Sequence, residues 1–216
     1  MMHRYLCFMV FIIFWFIENS KANGFEGNIT LVKQTFYDTT YYTYSVRENL
    51  VRIDEKNTKF QIMQSLIINL QDKKITALSP TQKLFTTIQT VSRSSILQKD
   101  FTVIKSEDFK VIDGQKCYLW RIRNPNLNIE ISFWVFGSDF GFFNQVIDIL
   151  SCTEDYSKYC LYFDQIPDSQ GFFPMLMVEK TLLRDEKMKV SVQSIDRRKI
   201  DRRLFMIPNE YKCLRY

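Results

Sequence analysis

Few side chains in this sequence have the types and spacing that chemistry needs. The only histidine of the 216 residues is His3, inside a segment expected to be removed on export. Without imidazole, the rest of the chain has no Ser-His-Asp or Cys-His nucleophile system and no histidine-bearing zinc site. It also lacks the general base most used near neutral pH. Carboxylate pairs, Ser-Lys dyads and lone thiols remain, and no spacing favours any of them. The expectation is a non-enzymatic chain with no cofactor and no metal.

Beyond Cys7, the thiols are Cys117, Cys152, Cys160 and Cys213. An even number in an oxidising compartment reads as disulfides, with three connectivities open. Cys152 and Cys160 enclose a short polar and aromatic loop and are the favoured pair, which leaves Cys117 with Cys213. The alternative for Cys117, on an apolar strand, is a buried thiol. The spacings match no zinc ribbon.

Two other groups of residues point to binding. Aromatic residues make up 15% of the chain, and Trp120, Phe133, Trp134, Phe136, Phe142 and Phe143 crowd its middle third. They suit an apolar cavity, or else an ordinary packed core. Arg197, Arg198, Lys199, Arg202 and Arg203 form a basic stretch interrupted by Asp196 and Asp201. It suits anionic headgroups at a membrane surface, or else a solvated turn whose charges pair locally. The formal charge of +5 is too small to argue for nucleic acid.

The elements that position these residues follow from periodicity. Leu6 to Ile17 is an apolar run about 18 Å long as a helix, short of the roughly 30 Å hydrocarbon core. With the polar exit Glu18 to Ala22, residues 1–22 read as a cleaved signal peptide. Residues 23–216 then form a single domain.

Alternating apolar residues predict about ten strands. The clearest are Gly27–Phe36, Tyr41–Arg47, Leu50–Asp54, Leu66–Leu70, Lys74–Leu78, Lys83–Gln89 and Phe101–Lys105. Gln115–Arg123, Leu127–Phe136, Met175–Arg184 and Lys187–Ser194 follow. One stretch changes period: Phe143, Val146, Ile147 and Leu150 recur at helical spacing, with Ser138 or Asp139 as the cap. The fold class is therefore mainly β: a curved, nearly closed antiparallel sheet with a helix across its concavity.

Two stretches carry a resemblance. Asn69-Leu70-Gln71-Asp72-Lys73-Lys74-Ile75-Thr76-Ala77-Leu78, followed by Ser79-Pro80-Thr81-Gln82-Lys83-Leu84-Phe85, resembles a hairpin of bacterial envelope proteins related to the outer-membrane lipoprotein carrier (the LolA-like superfamily). Leu204-Phe205-Met206-Ile207-Pro208-Asn209-Glu210-Tyr211 resembles the ending of an uncharacterised branch of that group. The resemblance implies a half-barrel with helices in its concavity, an apolar cavity for acyl chains and a periplasmic location. It also implies an arginine that latches the lid, for which Arg47 and Arg52 are the candidates. The carriers have more helix between their early strands than this sequence offers.

The resulting expectation is an exported, periplasmic carrier of a lipid or of the acyl chain of a lipoprotein. Phe142, Phe143, Val146, Ile147 and Leu150 form its lid, with Trp120, Phe133 and Trp134 beneath. Arg197, Arg198, Arg202 and Arg203 touch headgroups or a membrane surface. The alternative is a structural or protein-interaction module of the envelope with a fully packed core.

Overall fold

The computed structural model describes residues 24–89, 101–137, 139–153 and 162–214. The expected signal peptide lies outside them. Twelve strands form one sheet: β1 (Gly27–Thr35), β2 (Thr39–Arg47), β3 (Leu50–Lys56), β4 (Ile62–Asn69), β5 (Lys74–Ser79), β6 (Leu84–Ile88), β7 (Thr102–Ile112), β8 (Gln115–Asn124), β9 (Ile129–Gly137), β10 (Phe172–Lys180), β11 (Glu186–Asp196) and β12 (Lys212–Cys213). Their order is β12-β6-β5-β4-β3-β2-β1-β11-β10-β9-β8-β7. Every pairing is antiparallel except the two-residue β12, which lies parallel to β6. The sheet curves into the expected half-barrel, and helix α1 (Gly141–Leu150) packs against its concave face.

Alternation sets which side chains point inward, because successive residues of a strand face opposite sides. Ile29 and Leu31 of β1 share the concave face with Tyr44 and Val46 of β2, Val51 and Ile53 of β3, and Ile68 and Ile75 beyond. All are buried. On the other half, Trp120 and Ile122 of β8 lie opposite Phe133 and Ile131 of β9, and Met177 lies opposite Phe133 on β10. The turns alternate between two rims of the sheet. The β1–β2, β3–β4, β5–β6, β8–β9 and β10–β11 hairpins end at one rim. The β2–β3, β4–β5 and β7–β8 turns end at the other, where α1 begins and β11 runs out.

The C-terminal segment forms a strap over the convex face of β2 to β6. Ile200 and Phe205, the latter at the end of a 3-10 turn (Arg202–Phe205), pack on Ile67 and Leu78. Leu204 and Tyr211, from the stretch that carried the family resemblance, close the edge of this second core. Gly27 permits the close approach at its start: a Cβ there would lie 2.2 Å from the Asp196 carbonyl oxygen, at φ +148°.

Arg47 and Arg52 hold the strap, not the lid. Both project from the convex face, where Arg47 Nη1 donates to the Ile200 carbonyl at 2.8 Å. Arg52 Nη1 donates to the Leu204 carbonyl at 2.8 Å. Arg52 Nε also donates to Asp54 Oδ1 at 2.7 Å, and Nη2 to Ser65 Oγ at 3.1 Å. Ser65 Oγ closes the triangle by donating to Asp54 at 2.6 Å. The lid-latch expectation fails because positions 47 and 52 fall on the outward phase of their strands.

Other departures are local. β7 runs on to Ile112, past the expected Lys105, because a bulge between Lys105 and Phe109 absorbs the polar Ser106-Glu107-Asp108 and resumes the ladder. Helix α1 has Phe140 at its N-cap position with no side-chain cap; of the two expected caps, Asp139 grips Arg197 instead and Ser138 lies outside the described residues.

Replacing Asp54 with Ala strands the half-buried Arg52 charge without its carboxylate. It should lower unfolding stability by about 3 kcal/mol, read as a reduced urea midpoint with an unchanged m-value. A shift of under about 0.5 kcal/mol would show that the triangle does not hold the strap.

Candidate functional site

The space between α1 and the concave sheet is the one place where the expected binding residues meet. Phe142, Phe143, Val146, Ile147, Ile149 and Leu150 are all buried there. Burying each such side chain contributes about 1.5–3 kcal/mol, so packing rather than capping sets this helix. Its C-terminal carbonyls are closed locally. Ser151 Oγ donates to the Asp148 carbonyl at 2.8 Å, and Thr153 Oγ1 to the Leu150 carbonyl at 2.7 Å. Cys152 Sγ lies 3.4 Å from the Asp148 carbonyl.

An aromatic cluster fills the interior. Phe143 meets Phe173 at 4.7 Å between centroids and Phe163 at 5.5 Å. Phe163 meets Phe133 at 5.3 Å, edge to face. Phe25 stacks on Phe140 at 5.1 Å. A small apolar cavity of about 40 Å³ remains, bordered by Leu31, Tyr44, Phe133, Phe143, Phe173 and Met177 among others. Space of that size has room for a few waters and is far from the roughly 300 Å³ at which ligand pockets begin.

Seven of the eight expected cavity residues share this interior. Trp134 does not. It is the neighbour of Phe133 on β9 and lies opposite Leu119, so it faces the convex side, with the Lys110 ammonium 4.2 Å above its ring. The one-residue difference in phase decides it.

Phe25, Phe140, Phe163 and Phe173 belong to the same core and were not singled out from the sequence. Phe173 had a signal, the Phe173-Met175-Met177 alternation. Phe163 had none, because its place depends on Phe133 and Phe143, which are distant along the chain.

The basic stretch divides: Arg197 reaches a distant partner, while Arg198, Lys199, Arg202 and Arg203 remain at the surface. Arg197 Nη1 and Nη2 grip Asp139 at 2.6 and 3.0 Å, and its guanidinium lies 5.1 Å from the Phe25 ring and 5.6 Å from the Phe140 ring. The hydrogen bonds to Asp139 push the Arg197 pKa up. This clasp ties the start of α1 to the end of β11. Arg198 pairs with Asp196 at 3.1 Å and Arg203 with Asp201 at 2.6 Å. The Arg203 hydrogen bonds hold the pKa of the Asp201 carboxyl down to about 2. Arg202 is exposed at the surface.

Among the described residues, Cys117, Cys152 and Cys213 are free thiols. The Cys117–Cys213 pairing is therefore corrected: Cys117 is buried on β8, and Cys213 is exposed on β12 at the far edge of the sheet. Cys160, and with it the expected Cys152–Cys160 bridge, lies outside the described residues.

A family model described as "Domain of unknown function (DUF4412)" matches residues 25–211. The chain belongs to this family. The DUF4412 domain thus takes in the whole sheet up to the start of β12, the lid helix and most of the strap. Comparison with curated proteins gives no match.

Among solved structures, an uncharacterized conserved protein from Thermus thermophilus is 9% identical, covering 88% of this chain and 91% of its own, with a TM-score of 0.52. MucB, in the MucA/MucB complex of Pseudomonas aeruginosa, is 9% identical with a TM-score of 0.51, over 87% of this chain and 57% of its own. This chain thus spans a little over half of MucB. At such identities the likeness establishes a shared fold: the half-barrel that the carrier resemblance implied.

Two outcomes are expected. In the folded protein at pH 8, a maleimide should modify Cys213 and spare Cys117, whose thiol burial pushes up; mass spectrometry of peptides distinguishes them, and equal labelling refutes the placement. Arg197→Ala should speed hydrogen exchange across 141–147 and leave β3 to β5 unchanged. Uniform exchange would show that the clasp does not hold the lid.

Proposed function

We propose that this DUF4412 chain is an exported, non-enzymatic binding protein that takes an apolar chain, of a lipid or an acylated protein, between α1 and the concave sheet. The reading rests on one observation: an unfilled cavity of about 40 Å³ with an apolar lining, placed between the helix and the sheet. The interior described is a closed state, and admitting a chain requires α1 to swing out. The Arg197–Asp139 clasp and the adjoining Phe25–Phe140 stack mark the end about which it would turn. Each methylene buried beneath the helix adds about 0.8 kcal/mol, so one long acyl chain offsets the loss of the helix's own contacts. The placement in the LolA-like superfamily and a periplasmic location belong to this same reading.

A second reading has its own observation. β7 is an eleven-residue edge strand with Ile104, Phe109 and Val111 exposed. An extended peptide could add to that edge, and the fold is shared with MucB, which was solved in complex with MucA. This reading leaves the core packed.

Native mass spectrometry of the processed protein, followed by uptake of a fluorescent fatty acid, separates the two. The carrier reading expects a bound species of acyl-lipid mass. It also expects Leu31→Phe, which fills the cavity, to weaken uptake about tenfold or more without lowering the melting temperature. A clean apo mass with no uptake, or uptake unaffected by Leu31→Phe, overturns it. Phe143 is too deeply packed for a charge to serve as this test, since a buried Asp would unfold the core.

A further inference from the structure

Four of the five hairpins of one rim carry apolar side chains at their tips; the fifth, β5–β6, presents Thr81, Gln82 and Lys83. In strand order across the sheet, the tips carry Phe60 (β3–β4), Phe36 and Tyr37 (β1–β2), Leu183 (β10–β11) and Leu127 (β8–β9). Phe36, Tyr37 and Leu183 are 87%, 92% and 84% exposed. The turns of the opposite rim present Glu48, Asn49, Gln71, Asp72, Lys73 and Asp113, all exposed and polar. Single exposed apolar residues are ordinary. Four neighbouring tips on one rim, against a polar opposite rim, are a pattern.

The tips are stiffly built. Asn57 Oδ1 accepts from the Lys59 and Gln61 amides at 2.9 and 3.1 Å. Thr35 Oγ1 accepts from the amides of Tyr37 and Asp38. Thr181 Oγ1 accepts from the Asp185 amide at 3.0 Å, and Asn124 Oδ1 from the Leu127 amide at 3.1 Å. Phe60 sits at φ 60°, a left-handed position that costs a bulky residue about 1–2 kcal/mol and suits glycine. The turn holds an exposed phenylalanine where its own backbone favours a smaller residue.

The spacing points to the kind of partner. Neighbouring tips stand about 10 Å apart, two strands each, with polar turn residues between them. A protein partner would need a separate pocket for each, whereas a lipid interface has no fixed shape and accepts separate fingers. Phe, Tyr and Leu suit the boundary between headgroups and acyl chains. Internally satisfied amides reduce the cost of leaving water. Lys59, Arg184 and Lys187 are exposed at the same tips and suit anionic headgroups. The tips carry both signs, since Asp38, Asp185 and Glu186 beside them are exposed too; Asp38 accepts from the Thr39 amide at 2.7 Å, and Asp185 from the Thr181 hydroxyl at 3.4 Å.

We propose that this rim docks the protein on a lipid bilayer, with Phe36, Tyr37, Phe60 and Leu183 entering the headgroup boundary. The proposal is independent of what the interior holds.

The test is co-sedimentation of the processed protein with vesicles of phosphatidylglycerol and phosphatidylethanolamine. The wild type should sediment. The double change Phe36→Ser with Tyr37→Ser, and separately Leu183→Ser, should each weaken binding about tenfold or more, with melting temperatures unchanged. Val111→Ser, which removes an exposed apolar side chain from β7 away from these tips, should bind as the wild type does. Wild-type protein left in the supernatant, or tip variants that sediment like the wild type, overturns the proposal. A dimer that disappears in the tip variants, without vesicle binding, overturns it in favour of a second copy of the chain.

Discussion

A twelve-stranded open sheet has one concave face to keep dry, and among the described residues the ten-residue helix α1 does most of that work. Everything around the site follows from this constraint. The helix has no side-chain cap at its N-terminus and no charge complement at either end, so its hold comes mainly from six buried side chains. Those side chains need aromatic bulk beneath them, which β9, β10 and the segment around Phe163 supply. Where the bulk falls short, a small apolar cavity remains.

The two faces are closed by different physics. The concave side is closed by hydrophobic packing, which is non-directional and tolerates a helix that shifts. The convex side is closed over β2 to β6 by the strap, and there directional contacts lead. Arg47 and Arg52 donate to strap carbonyls, and Asp54 and Ser65 satisfy the guanidinium. A half-buried charge with all its partners gives one register for the strap. Directional contacts thus set the convex side, and packing sets the side that faces the cavity.

Arg197 joins the two systems. It leaves the end of β11, reaches the loop before α1 and covers the Phe25 and Phe140 rings. Of the basic stretch only Arg197 is wired to a distant element, Arg198, Lys199, Arg202 and Arg203 staying at the surface, and the apolar hairpin tips lie at the other end of the sheet. The family resemblance anticipated an arginine near the helix but did not place it, and its two candidates, Arg47 and Arg52, hold the strap instead.

Alternation alone determined much here. The strands from β1 to β5 and from β8 to β11 are legible because one apolar face repeats every second residue, and α1 is legible because Phe143, Val146, Ile147 and Leu150 repeat at helical spacing. His3 is the only histidine of the chain, so residues 23–216 are without imidazole chemistry before any fold is known. Period does not say which covering element meets which face, so Trp134 and Phe133 look equivalent in sequence and end on opposite sides. Nor does it reveal partners distant along the chain. Arg52 meets Leu204, Arg197 meets Asp139, and Phe163 reaches Phe133 only once the sheet has curved. The local pattern fixed the elements because side-chain phase is a property of the strand itself. The site was decided by tertiary structure because a cavity, a clasp and a rim exist only between elements.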